Sequence, residues 1–127
     1  MKVSPQQQIY NTIFSSSLGL GYATFDYLPP KEQKLPFVYV GEQFDQDRRT
    51  KTFLFGDVQQ TIHIYHDIKG RGELTSMMNE LKVELRKLKR TDNFYVTCKQ
   101  INAQTLTDTT GNTPLLHGII EAEFTFN

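Results

Sequence analysis

Two histidines and an aspartate fall within seven residues in the stretch TIHIYHD, residues 61–67. His63, His66 and Asp67 are side chains of the kinds that bind metals or carry protons. Whether they can act together depends on the backbone that holds them. On a helix, residues three apart share a face, and both histidines could reach one ion. On a strand the period of two sends them to opposite faces. Ile62 and Ile64, alternating with Thr61, His63 and Tyr65, argue for a strand. The stretch also lacks the fixed ligand spacing that metal sites require. The expectation is a partly exposed strand histidine, His63, followed by a turn pair, His66 and Asp67.

The remaining candidates for chemistry are few. Cys98, the single cysteine, would be a nucleophile only if a histidine approached it in space. Phe94 and Val96 alternate with it, which makes it a small core residue. Glu121 and Glu123 share a strand face as paired carboxylates would, and a solvated outer face explains them equally. There is no Gly-x-Ser-x-Gly, no phosphate loop and no dinucleotide fingerprint. No catalytic, metal or cofactor-binding residue is assigned, and no cofactor is expected. A different idea attaches to VYVGEQF. It is similar to the first-strand motif of RNA-recognition domains, in which a surface aromatic such as Tyr39 stacks on a base. The partner motif is missing, a helix precedes the strand, and the element order differs.

The elements that position these residues can be read from periodicity. Ser4 is placed to cap a helix, with Pro5 in the first turn and Gln7 completing a capping box. Ile9 and Ile13 then give the apolar stripe of a helix over residues 5–16. Residues 22–29 alternate and read as a short strand. Residues 36–44 form a second, which Pro36 can only begin because it has no amide to donate. Residues 45–51 are charged and show no period. With residues 52–57 they suggest an extended arm over 44–56, either a hairpin or a long loop.

Residues 58–66 alternate, with Val58, Gln60, Ile62, Ile64 and His66 on one face. Leu74, Met77, Met78, Leu81, Leu85 and Leu88 recur at steps of three and four, so a helix is predicted over 72–89. Strands follow at 94–101 and 115–126, joined by a polar turn region at 105–114. The fold class is therefore α+β, a mainly antiparallel sheet with two helices on one face, in the order α-β-β-(arm)-β-α-β-β.

Composition bounds the function. A chain of 127 residues reads as one domain, 1–127, and can bury roughly two-thirds of its unfolded surface without staples. Fourteen basic residues balance fourteen acidic ones, so no overall field draws it to nucleic acid or an anionic membrane. A lone cysteine excludes an internal disulfide and fits assembly in a reducing compartment. No apolar run approaches the roughly 20 residues of a membrane span, and the opening MKVSPQQQ lacks the apolar segment of a secretory signal. A soluble protein made in the cytoplasm is expected.

The succession of elements resembles the tail completion, or tail terminator, proteins of long-tailed bacteriophages, which join tail to head. Pro36, Phe37, Val38, Val40 and Gly41 match that family's first element. Thr50, Lys51, Thr52 and Gly56 match its second, and Ile62, Ile64 and Tyr65 its third; His66 stands where small polar residues are usual. The resemblance implies a non-enzymatic structural protein of the virion, assembled in the bacterial cytoplasm and placed at the head-proximal end of the tail. It implies a ring, a hexamer in such proteins, that stops tube growth. The implied partners are other copies of the chain, the tail tube protein and the head connector, with DNA passing through the lumen without specific binding. The arm and the turn at 107–114 are the expected contacts: Asp45, Asp47, Arg48, Arg49, Lys51, Phe53, Phe55, Asp108 and Asn112. The competing reading is a single-stranded nucleic-acid-binding module using Tyr39; a small hydrolase using the histidines is a third.

Overall fold

The computed structural model describes residues 3–49 and 54–127. The elements run α1 (Pro5–Gly19), β1 (Thr24–Phe25), β2 (Phe37–Arg49), β3 (Leu54–Asp67), α2 (Arg71–Lys87), β4 (Val96–Asp108) and β5 (Leu115–Phe126). The five strands form one mixed sheet in the order β1-β2-β3-β5-β4. Among the described residues β1 pairs in parallel with β2, and the other pairs are antiparallel. The α+β class and the element order are as the periodicity predicts.

Local chemistry explains the helix ends. Ser4 Oγ accepts from the amide of Gln7 at the start of α1. The Gln7 side chain turns forward to Asn11, so only half of the expected capping box forms. The helix continues through the serine run to Gly19. Gly21, at φ 91°, then allows the reversal, with its amide bonding Leu18 and that of Tyr22 bonding Ser17. Helix α2 buries Leu74, Met77, Met78, Leu81 and Leu85 along the predicted stripe, with Leu88 buried just beyond it.

Both helices pack on one face of the sheet. Val38, Val40, Val58, Ile62, Ile64, Ile120, Ala122 and Phe124 meet Ile9, Ile13 and the α2 stripe there. β5 alternates without a break, its even-numbered residues buried. Gly118 gives α2 its close approach, since a Cβ there would lie 2.7 Å from Met78 Sδ. Two buried amides complete this face. Gln8 bonds the carbonyl of Val3 and both the side chain and the amide of Asn93, tying α1 to the segment before β4. Gln60 donates to the carbonyls of Gly41, Glu42 and Thr61. Those first two carbonyls lie in the β2 bulge between Val40 and Gln43, which Gln60 satisfies from within.

Several boundaries differ from expectation. The strand expected at 22–29 shrinks to Thr24–Phe25, because only that segment reaches β2 and Pro29 and Pro30 follow. The charged residues 45–49, which lack a period, nonetheless continue β2, since Arg48 pairs with Phe55 and Arg49 with Leu54. Backbone pairing overrides an uninformative side-chain pattern there. β4 begins at Val96 and runs to Asp108, which shortens the polar turn.

Candidate functional site

The face of the sheet that the helices leave open carries the side chains with chemistry. Odd-numbered residues of β3 and β5 point to it. The register sets His63 beside Tyr39 on β2 and beside Ile119 on β5, with Tyr65 opposite His117. A continuous row of rings results. Phe25 meets Phe37 edge-on, Phe37 stacks on Tyr65 with centroids 5.1 Å apart, and Tyr65 stacks on His117 at 4.3 Å. His117 then lies 5.0 Å from His63, which stacks on Tyr39 at 5.4 Å. Each such pair contributes about 0.5–1.5 kcal/mol beyond its buried area.

A hydrogen-bond chain runs through the row. His63 Nε2 lies 2.6 Å from Glu42 Oε1, and His63 Nδ1 lies 2.8 Å from His117 Nε2. Burial would push the Glu42 carboxyl up, but its own backbone amide and the bond and charge from His63 outweigh this and hold it below its ordinary value. Burial, and then the charge of His63, hold His117 below the ordinary histidine value. Glu42 and His117 thus flank His63, one at each of its ring nitrogens. Among the described residues no group of three or more ligand side chains is placed to hold a metal.

His66 lies on the opposite, helix-covered face, as the strand period requires. It is buried, and it sits inside β3 rather than in the expected turn. Its ring packs against Gly70, where any Cβ would overlap it, and Nε2 lies 3.2 Å from Glu73 Oε1. Cys98 is half-buried on the helix face, its thiol pushed up by burial. Glu121 and Glu123 do not converge. Gln59 donates to the first, and Lys99 lies 3.8 Å from the second.

The predicted contact residues separate into three places. Asp45 and Asp47 face the helix side, where both accept from Gln6 of α1. Arg48 and Phe55 line a cleft of about 630 Å³ on the open face, together with Asp57, Tyr95, Lys99 and Thr125. Asp108 and Asn112 line a second cleft of about 380 Å³ at the other end of the strands, walled by Pro30, Phe37, Tyr65 and Leu115. Arg49 closes β2, and Lys51 and Phe53 lie outside the described residues. Sequence reasoning passed over Glu42 and His117. The alternation of β5 places His117 on the open face, but only the register brings it to His63. Among the described residues no helix is long and apolar enough to cross a membrane.

No protein-family model matches this chain, and no curated protein matches it in sequence. Among solved structures it is similar to a chain in the virion of a native gene transfer agent particle. That alignment covers 96% of this chain and 95% of that one, with a TM-score of 0.63 and 14% identity. A second solved chain, for which no function is stated, aligns over 98% of this chain and 97% of its own, with a TM-score of 0.54 and 14% identity. At these identities the agreement is one of fold.

Proposed function

We propose that this chain is a non-enzymatic structural protein of a phage-like virion, which forms a ring that caps the tail tube and joins it to the head. The observation that carries this reading is its end-to-end agreement in fold with a chain of a virion particle. The surface chemistry supports it. Among the described residues the open face holds rings stacked on one another, and Glu42, Glu121 and Glu123 each lie against a neighbouring polar side chain. The two clefts lie at opposite ends of the strands. In a ring whose axis follows the sheet, one end serves the tube and the other the connector. Copies related by rotation close such a ring through heterologous contacts and leave no free edge.

The arm residues Asp45, Asp47, Arg48, Arg49, Lys51, Phe53 and Phe55, with Asp108 and Asn112 on the turn, serve as subunit or partner contacts. The test is native mass spectrometry of the purified protein, with negative-stain images. Closed rings of uniform mass are expected. A monomer at every concentration, binding oligonucleotides with a salt-sensitive affinity that Tyr39→Ala abolishes, would favour the nucleic-acid-binding reading instead.

A further inference from the structure

Beyond Lys99 and its bulge, the outer edge of β4 lacks the devices by which proteins protect a sheet edge. It is a terminal strand of 13 residues, and residues 100–107, QINAQTLT, contain no charge and no proline. Its bulge lies before this run, between Cys98 and Gln100. Such an edge presents a row of unpaired backbone groups, and natural proteins blunt it with lysine, proline or a bulge unless it is used. The opposite side of the sheet offers a counterpart. β1 covers β2 only at Val38 and Tyr39, and among the described residues no strand covers the outer edge of residues 42–49.

Both edges also carry a large exposed apolar side chain on the same, open face. Phe44 is 70% exposed and Leu106 45%. Phe44 pairs with Gln59 and Leu106 with His117, both on the open face. Three successive antiparallel pairings separate β2 from β4, so the two run in opposite directions. A second copy set beside the first in the same orientation therefore presents its β2 antiparallel to β4.

We propose that residues 101–107 of β4 pair antiparallel with residues 43–49 of β2 in a second copy of the chain, with Phe44 covering Leu106. This rests on the ring reading above and names its joint. In its own chain Phe44 stands level with Gln100, through Gln59 and Glu123. Joining it to Leu106 thus staggers neighbouring copies by about six residues, of the kind that tilts strands in closed barrels. The stagger also moves β4 clear of β1. The β2 edge, with three carboxylates and two arginines over residues 42–49, meets a run with no charge of its own, and like charges oppose each other where Asp108 nears Glu42, whose carboxylate is held by His63.

The test is covalent. In a Cys98→Ser background, Gln46→Cys and Gln104→Cys are combined and oxidised. Within one chain these positions are separated by three strand spacings, about 14 Å, and by several residues along the strands, too far for a disulfide. The expected result is a denaturant-resistant ladder ending at the ring size found by native mass spectrometry. Alternating amide directions mean that one of Ala103→Pro and Gln104→Pro removes only an outward amide. That variant should melt like the parent yet lower the ring fraction on the order of tenfold or more. Rings without a ladder, or a ladder that stops at dimers, would overturn the joint and leave the ring reading standing. A protein that forms no oligomer in any preparation would overturn both.

Discussion

Ile62 and His63 are neighbours in β3, yet Ile62 is fully buried beneath the helices while His63 lies in a row of rings on the open face. The same alternation makes both faces, and the forces that hold them differ. The helix face is a dry aliphatic packing problem in which Val38, Ile62, Ile120 and Leu81 exclude water. The open face is joined by ring stacking and by a directional chain from Glu42 through His63 to His117. That face admits polar amides such as Gln8 and Gln60 only where they are bonded, and its apolar packing carries the stability. A half-exposed aromatic face costs less to alter, and it can respond to pH and to a partner.

This contrast can be broken by substitution. Leu81→Asp places an unpaired charge under α2 and should cost on the order of 5 kcal/mol, enough to abolish cooperative urea unfolding followed by circular dichroism. Gln60→Leu leaves the bulge carbonyls of Gly41 and Glu42 without their donor. A loss of about 1–3 kcal/mol in the same assay is expected. Tyr65→Ala, on the open face, removes the ring between Phe37 and His117 and should cost about 1–3 kcal/mol from its two stacked contacts. If Tyr65→Ala proved more damaging than Leu81→Asp, the division of labour between the faces would be wrong.

The smallest effect is with pH. The folded value of His117 lies below its ordinary 6.5, so below that pH the unfolded chain binds protons that the folded chain refuses. Its contribution is therefore fully present above the folded and unfolded values and fades as pH falls from 6.5 towards the folded one. Glu42 acts lower, its contribution present above 4.5 and lost as pH falls through its depressed folded value. Melting temperatures should decline between pH 7 and 5.5, and His117→Phe, which keeps the ring on Tyr65, should flatten that decline.

Much of this was legible in the chain. The α2 stripe, the alternation of β3 and β5, and the divergence of His63 from His66 follow from periods of 3.6 and 2, which are local properties. The charged residues 45–49 gave no such period, and their place in β2 was invisible until β3 lay beside them. The bulge was hidden for the same reason, because Gln60 reads as one polar residue in an apolar row and only the fold shows what it bonds. Of the candidate contacts, the structure separates Arg48 and Phe55 from Asp108 and Asn112 by the length of the sheet, and it turns Asp45 and Asp47 towards Gln6.

By itself, then, the sequence determined which residues face together along each element, because Cβ direction is fixed by the backbone period. Only the tertiary structure decided which elements meet. His63 and His117 are 54 residues apart, and their contact depends on β5 inserting between β3 and β4. That order is set by the burial of whole faces against two helices, and no local pattern encodes it. The same long-range choice leaves β4 and most of β2 at the edges of the sheet, where a second copy can reach them.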